Sequence, residues 1–489
     1  MSTPVSASPS IEGATLSSRR VVCVDVDGTL VAGDLFWESL LGLFRRNPRI
    51  ALTLPSWLLR GRAYVKQQVA VNAPLDVRLL PYRPEVLAFI EESRASGRQI
   101  VLATGADESH ALAIATHLGG FNEVIASDGV VNLSGHEKAR RLERRFGTGQ
   151  FDYIGNDWVD VPTWLAAGRA TIVAAPGRLY RHLTSRLDSV RVIVPPRRRV
   201  RAIVRALRPY QWVKNLLVLM PLIAAHRILE LDLAMRALWA FVAFCLCASS
   251  IYVANDLFDI QADRQHVRKR HRPFASGDLS VPTGLGLSGV LLVVGLLIGT
   301  SAVSAAFGAW LALYIATTVL YSLRIKQEPV LDVFFLTGFY VLRMFAGGVA
   351  TGIEISTWLV AFGMFFFLNL ALLKRYTGTV NAMTAAGTMA GRGYKSIDQH
   401  WMQVLGIGAG CMSVLVLALY AADPTVARLY RSPSILILLC PLLLYSMARS
   451  WFKAARETLE DDPVLVAIRD PVSYVVVVAA ALILVAAAR

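Results

Sequence analysis

From about residue 212 to its end, the chain is a succession of apolar runs broken by short charged loops. A helix needs roughly 20 mostly apolar residues to cross a bilayer, and in lipid every backbone N–H and C=O must be satisfied internally. These runs are too long and too continuous for strands, so an all-α polytopic membrane bundle is expected over 211–489. Nine candidate spans can be drawn, at about 212–228, 234–254, 284–302, 304–323, 330–350, 357–373, 403–421, 433–450 and 471–488. The whole chain is 55% hydrophobic and 17% charged, against roughly 25% charged in ordinary soluble proteins.

Basic residues follow the even-numbered spans: Arg264, Arg268, Lys269, Arg270 and Arg272, then Arg324 and Lys326, then Lys374, Arg375, Arg392 and Lys395, then Lys453 and Arg456. Lys and Arg concentrate in cytoplasmic loops, so these loops and the whole N-terminal half are expected in the cytoplasm, with the C-terminus outside. The net charge of +15 is read in the same way. No nucleic-acid motif accompanies it, and nucleic acid is not an expected partner. The five cysteines, Cys23, Cys245, Cys247, Cys411 and Cys440, form neither a disulfide framework nor a metal-binding spacing.

Residues 1–210 read as a soluble protein. The Ser-, Thr- and Pro-rich segment 1–18 has no apolar stretch, so it is expected to be a disordered tail and no signal peptide. Strand and helix patterns then alternate over 19–190, which predicts a doubly wound, Rossmann-like α/β sheet with its site at the strand C-termini. An insert between about 34 and 81, rich in Leu, Phe, Trp and Arg, predicts a helical cap whose apolar residues form its own core. A sharper expectation is that this cap faces the membrane and admits a lipid-linked phosphate, with Trp37 and Trp57 in contact with the lipid. The stretch 191–210, with Pro195-Pro196-Arg197-Arg198-Arg199, Arg201, Arg205 and Arg208, predicts a linker and a basic juxtamembrane helix on anionic lipid.

The second apolar run ends in Asn255-Asp256-Leu257-Phe258-Asp259-Ile260-Gln261-Ala262-Asp263. Positions i, i+3 and i+7 share a helix face, so Asp256, Asp259 and Asp263 are expected in line. Aspartate at the bilayer centre costs roughly 2.5–3.5 kcal/mol, and carboxylates in one stripe repel one another. Such a cluster calls for a cation, and Mg²⁺ is commonly held by carboxylates together with substrate phosphates. His266, Lys269, Arg270, Arg272 and Pro273 follow at once. Acid to hold a metal beside base to hold phosphate suits a diphosphate leaving group. A plainer reading pairs the aspartates with neighbouring arginines at a helix end.

The stretch Asn255 to Gly277 resembles the first aspartate motif of the UbiA superfamily. Within that superfamily the chain is most similar to the decaprenyl-phosphate phosphoribosyltransferase branch. The residues that carry this likeness are Arg208-Pro209-Tyr210-Gln211-Trp212-Val213-Lys214-Asn215, His266, Lys269, Arg272-Pro273 and Ala275-Ser276-Gly277. Tyr321-Ser322, Lys326, Asp332, Arg343, Ala346-Gly347, Lys374-Arg375-Tyr376, Arg392-Gly393-Tyr394 and Asp461-Asp462-Pro463 continue it to the end of the chain. The resemblance implies transfer of 5-phosphoribose from phosphoribosyl diphosphate to a polyprenyl phosphate at the bilayer. It implies Mg²⁺ on Asp256, Asp259 and Asp263, with diphosphate contacts from Asn255, Lys269 and Arg272. Lys214, Lys326, Asp332, Arg343, Lys374 and Arg375 become further substrate contacts. Where aromatic prenyltransferases carry a second Asp-xxx-Asp, Asp332 is followed by Leu336. After Lys374-Arg375-Tyr376, where an acid is expected, stands Thr377-Gly378-Thr379.

In the soluble half, the buried-strand pattern Val21-Val22-Cys23-Val24 runs into Asp25-Val26-Asp27-Gly28-Thr29-Leu30, which resembles the first motif of the haloacid dehalogenase superfamily. The resemblance makes Asp25 the nucleophile, Asp27 the general acid and base, Thr104 a phosphate donor at a strand end and Lys138 the phosphate-binding lysine. Asn156-Asp157-Trp158-Val159-Asp160 becomes the metal motif, with Asp25, Asp27, Asp160, and Asn156 or Asp157, on Mg²⁺. A transferase product of the kind described retains a phosphate monoester, the bond this superfamily cuts. The expected function is therefore a coupled transferase and phosphatase. The alternatives are an aromatic prenyltransferase using prenyl diphosphate, and a lipid-binding or transport protein with a regulatory soluble domain.

Overall fold

The computed structural model describes residues 20–174, 176–194, 199–383, 393–424, 430–456 and 470–488. The expected tail, the linker residues Pro195–Arg198, Arg392 and Asp461-Asp462-Pro463 lie outside the described residues. Two compact units emerge. One comprises the chain up to Leu207 together with Tyr252–Ser288; the other comprises Arg208–Ile251 and Gly289–Arg489.

The first unit is built on six parallel strands: β1 (Val21–Val24), β2 (Ile100–Asp107), β3 (Glu123–Ser127), β4 (Phe151–Gly155), β5 (Arg169–Val173) and β6 (Val190–Val194), in the order β3-β2-β1-β4-β5-β6. The central strands are apolar throughout because helices cover both faces of a parallel sheet. Side chains alternate accordingly. Val22 and Val24 join one core with Ile100, Leu102 and Ile114, while Cys23 joins the other with Tyr153 and Trp164. The order reverses at β1, between β2 and β4, which opens a crevice at the strand C-termini where doubly wound sheets bind ligands.

Three helices rise between β1 and the rest of the sheet: α1 (Leu35–Arg46), α2 (Leu54–Leu59) and α3 (Arg62–Asn72). Asp34 caps α1 by accepting from Trp37 N at 3.1 Å. Leu40, Leu43, Val65, Val69 and Ala73 form the cap's core, with Trp37 and Trp57 packed on it. Both tryptophans are partly buried, and the exposed large apolar side chains of the cap are Leu52, Leu58, Leu59 and Val71. The sheet is completed by α4 (Pro84–Ala95), α5 (Glu108–Leu118), α6 (His136–Phe146), α7 (Val161–Ala166) and α8 (Gly177–Thr184), and followed by α9 (Arg199–Leu207).

The first unit also takes in the end of α11 (Leu231–Phe258), α12 (Ile260–Gln265) and the loop to α13 (Val281–Ile298). Leu41 of the cap, Ala202 and Ala206 of α9, and Val253, Leu257, Ile260, Phe274, Leu279 and Val281 share one core. At its edge Glu38 and Arg264 form a bidentate ion pair, 2.7 Å on each arm, with side chains 3% and 4% exposed. Gly277, at φ 72°, lies so close to the loop after β1 that a Cβ would stand 2.6 Å from the Ala32 backbone. Sequence placed these residues with the membrane half; the packing joins them to the α/β unit.

In the second unit the structure corrects the count of nine spans. Among the described residues seven helices are long and apolar enough to cross a membrane: Leu231–Phe258, Val281–Val303, Ala305–Leu323, Leu331–Thr351, Thr357–Val380, Ser396–Ala422 and Pro433–Ala455. These correspond to the second through eighth expected spans. The first expected span is a 3-10 segment, Pro209–Leu219, and a five-residue helix, α10 (Met220–Ala224). Pro221, which lacks an N–H, lies inside the expected span where the 3-10 segment gives way to α10. The last is a shorter apolar helix, α19 (Pro471–Ala488). Between them run α14 (Ala305–Leu323), α15 (Leu331–Thr351), α16 (Thr357–Met383), α17 (Gln399–Ala422) and α18 (Leu439–Ala455). Helix α16 continues past 373, so Lys374 and Arg375, read as loop residues, are helical.

Candidate active sites

In the α/β unit the loop after β1 places Asp25, 5% exposed, at the crevice. Lys138, carried by α6, donates from Nζ to Asp25 Oδ1 at 2.8 Å, to Tyr153 Oη at 2.7 Å and to Asp160 Oδ1 at 3.1 Å. Burial disfavours the ammonium, but Asp160 and Asp25 more than offset this and hold its pKa above the ordinary value. Asp25 is pushed up to about 6, by burial first, with Lys138 opposing. Asp27 accepts from Leu35 N at 2.8 Å and is raised well above the carboxylate range by burial and the charge of Asp34. Burial thus pushes both carboxyls upward, and Lys138 opposes the rise at Asp25. Thr104, fully buried on β2, accepts from Ala106 N at 3.0 Å, which leaves its own O–H to donate.

The three acidic-motif residues do different things. Asp160 accepts at Oδ2 from the backbone N–H groups of Asn156 and Asp157, at 3.2 and 3.3 Å, and at Oδ1 from Tyr153 and Lys138. Both of its oxygens hold the loop and the lysine. Asp157 caps its own turn, accepting from Trp158 N at 2.5 Å. Asn156 alone turns back to the nucleophile loop. Its Oδ1 accepts from Thr29 Oγ1 at 3.2 Å, and its amide lies where a Cβ on Gly28 would be. Of the expected metal residues, Asp25 and Asn156 meet through Thr29, Asp27 lies within electrostatic reach of Asp25, and Asp157 and Asp160 bond to the loop and, for Asp160, to Lys138. Tyr153 was missed by sequence reasoning; the signal was a hydroxyl-bearing aromatic in a buried strand two residues before the motif glycine.

Still within this unit, the aspartates after α11 do not share one unbroken face. Helix α11 stops at Phe258, and Asp259 stands between it and α12 with φ −99° and ψ 8°. Arg45 of the cap takes Asp259 at 3.1 Å and the Phe258 carbonyl at 2.8 Å. Asp256 and Asp263, each 3% exposed, converge instead on Arg272 Nη1, at 3.0 and 2.7 Å. Burial raises the Asp263 pKa, Arg272 opposes this, and Asp256 adds to the rise. Lys269 lies exposed on the turn Lys269–His271, and Asn255 is half-buried.

Among the described residues no three His, Cys, Asp or Glu side chains converge as a metal cage. Both sites nevertheless fit Mg²⁺, which is usually held by one or two carboxylates, waters and substrate phosphates. In the first, two buried carboxylates are pushed toward protonation beside a neutral amide oxygen. In the second, Asp256 and Asp263 share the Arg272 guanidinium.

In the second unit Asp332 and Arg375 are sealed together. The Arg375 Nε bonds Asp332 Oδ2, its Nη2 bonds Asp332 Oδ1 at 2.8 Å and Tyr321 Oη at 2.9 Å, and the side chains are 0% and 1% exposed. Arg375 Nη1 is buried with no hydrogen-bond partner among the described residues. Arg343 spends its nitrogens on Asn215 Oδ1 at 2.9 Å, Phe339 O at 2.6 Å and Tyr314 Oη at 2.9 Å, within the rings of Phe244, Tyr314 and Tyr340. Both arginines are held by protein groups. Lys214, Lys326 and Lys374 are half-buried.

Residues 22–164 match the haloacid dehalogenase-like hydrolase family, and residues 217–397 match the UbiA prenyltransferase family. The protein y4nM of Sinorhizobium fredii is 34% identical over 461 residues, covering 93% of this chain and 88% of that one. A decaprenyl-phosphate phosphoribosyltransferase of Mycolicibacterium smegmatis is 40% identical over 186 residues, 37% of this chain and 58% of that enzyme. A UbiA homolog from Archaeoglobus fulgidus, solved with GPP and Mg²⁺, aligns over 58% of this chain and 99% of its own at 16% identity, with a TM-score of 0.43. Seven apolar helices among the described residues and the two family matches make this an integral multi-pass membrane protein with a UbiA prenyltransferase family domain over residues 217–397 and an N-terminal haloacid dehalogenase-like hydrolase domain over residues 22–164.

Proposed function

We propose that the chain moves 5-phosphoribose from phosphoribosyl diphosphate to a polyprenyl phosphate, and that its α/β domain then removes the 5-phosphate on the cytoplasmic side. The observation that carries the transferase reading is the convergence of Asp256 and Asp263 on Arg272. It sets two carboxylates beside a cation able to face phosphate. The likeness to the M. smegmatis enzyme supports it, over 58% of that enzyme's length.

The acceptor phosphate is already an anion, so the transfer needs no general base. The barrier lies in departure of diphosphate from the anomeric carbon. Arg272 and Lys269 would hold the departing group. Asn255 and Asp259 border the same stretch. Mg²⁺, held by Asp256 and Asp263 here and by Asp25, Asp27 and Asn156 in the α/β domain, would neutralise phosphate charge when bound.

In the phosphatase step an Asp25 oxygen attacks phosphorus and the ester oxygen leaves with the proton of Asp27, giving an aspartyl phosphate. Water then attacks that phosphorus, Asp27 takes the water's proton, and phosphate departs as the Asp25 carboxylate is restored. Lys138 and Thr104 orient the phosphoryl oxygens. Asp160 and Tyr153 hold Lys138.

The test uses membranes containing the full chain, radiolabelled phosphoribosyl diphosphate, Mg²⁺ and polyprenyl phosphate, followed by lipid extraction. Label should enter lipid with the wild type and fail to do so with Asp256→Asn. Asp25→Asn should accumulate the 5-phosphorylated lipid. No label in lipid from any variant would refute the transferase reading. Identical lipids from wild type and Asp25→Asn would refute the phosphatase reading.

A further inference from the structure

The phosphatase crevice contains a second lysine that the catalytic steps above do not use. Lys66 comes from the cap, on α3, and reaches down to the end of β2 and the loop after β3. Its Nζ donates to Gly105 O at 2.5 Å and to Asn132 Oδ1 at 2.8 Å. Gly105 directly follows Thr104. Its carbonyl also accepts from Ser127 Oγ at 2.9 Å, and that hydroxyl in turn accepts from Leu133 N at 3.0 Å. The next cap residue, Gln67, lies against Gly129, where a Cβ would stand 2.5 Å from it. Lys66 is therefore held in place by one strand end and one loop of the core.

An ammonium has three N–H donors and a full charge. Here two donors go to neutral oxygens, and among the described residues no carboxylate stands within ion-pair distance of Nζ. Lys138 differs: it is paired directly with Asp25 and Asp160. Half-buried Lys66 is pulled below its ordinary pKa by desolvation, and the charges of Asp27, Asp34 and Asp25 oppose this. Lys138, on α6, already meets the nucleophile Asp25 directly, whereas Lys66 enters from the cap. A cation entering from the cap meets the alcohol part of the substrate. A neutral hydroxyl would satisfy the third N–H, but an anion makes a charge-assisted bond, roughly twice as strong as a neutral one.

We propose that Lys66 forms a second-anion subsite, so that the phosphatase selects phosphate monoesters whose alcohol carries another negative group. The inference rests on the phosphatase reading above and deepens it: a ribose 5-phosphate joined at C1 to a phosphodiester is a substrate of this class, and Lys66 is a specificity residue for the diester.

The test compares two soluble probes, ribose 5-phosphate and its 1-(methyl phosphodiester), hydrolysed by the purified full-length chain in detergent with Mg²⁺. The wild type should prefer the diester. Lys66→Met should reduce that preference about ten- to hundred-fold, the range expected for a hydrogen bond to a charged group, with the change mainly in KM, and Lys66→Arg should restore part of it. Equal losses on both probes would overturn the inference, since a lysine that pins the cap or touches the transferring phosphoryl acts on both alike. A wild type that hydrolyses both probes without preference also overturns it, and leaves the phosphatase reading standing. A wild type that hydrolyses neither probe overturns both.

Discussion

Asp332 and Arg375 offer the sharpest separation between a substrate contact and a structural pair. With 0% and 1% of their side chains exposed, neither charge has water to fall back on once the other is removed. Breaking a buried ion pair by deleting one partner costs about 3–5 kcal/mol, because the survivor is left uncompensated. Asp332→Asn keeps the shape and removes only the charge, so nearly all of that cost should come from Arg375. The double variant Asp332→Leu with Arg375→Met removes both charges and should recover about 2–3 kcal/mol of the summed single losses. Polytopic proteins tend to unfold irreversibly, so the assay is the half-life of the folded chain in detergent at fixed temperature. If most of the loss falls on the unfolding barrier, Asp332→Asn should shorten that half-life about a hundred-fold or more. Tyr321→Phe, which removes one hydroxyl from the network, should cost only about 1 kcal/mol. An Asp332→Asn chain with the wild-type half-life and no transferase activity would refute the reasoning and make Asp332 a direct ligand of substrate or metal. Strictly additive single effects would refute it as well.

Glu38→Gln and Arg264→Met should each cost the α/β unit about 3–5 kcal/mol, for the same reason; thermal melts in which either variant matches the wild type would contradict this. In EDTA, the folded Asp25 pKa of about 6 lies above its ordinary 3.8, so the folded state binds more protons between those values and stability falls as pH rises through that window. Melts at pH 5 and 7 should show this slope in the wild type, reduced in Asp25→Asn and flattened by Mg²⁺; a wild-type slope equal to that of Asp25→Asn would contradict it. Leu58 and Leu59, 59% and 90% exposed at the cap beside Arg60 and Arg62, should contact lipid. Replacing both with Ser should lower hydrolysis of a lipid-linked phosphate several-fold more than that of p-nitrophenyl phosphate, and equal effects would rule the contact out.

The sheet and the place of Asp25 at the end of β1 were legible because a buried strand ending in Asp25-Val26-Asp27 is a local pattern. Lys138 and Thr104 followed from order along the chain. The work of Asp160 was not legible, because whether a carboxylate faces a metal or its own loop depends on where Tyr153 and Lys138 arrive. The aspartate stripe was read from helical spacing alone. Arg45, more than two hundred residues away, captures Asp259, and spacing cannot report that. Seven of the nine spans were legible from hydropathy. The first was not, because hydropathy does not register the missing N–H of Pro221 inside the run. Arg343 looked like a substrate cation in sequence, but its three aromatic neighbours come from separate helices.

The Tyr252–Ser288 stretch has a consequence for genetics. Its apolar side chains are buried with Leu41 and α9, and its Arg264 neutralises Glu38. A gene cut after Leu207 would yield a soluble fragment with an open apolar face and an orphaned glutamate, and a companion fragment whose aspartate loop has lost its support. Co-expressing the two halves should therefore complement poorly. Lesions in the cap, at Glu38 or Arg45, would score as transferase defects in a screen although they lie outside the region that matches that family.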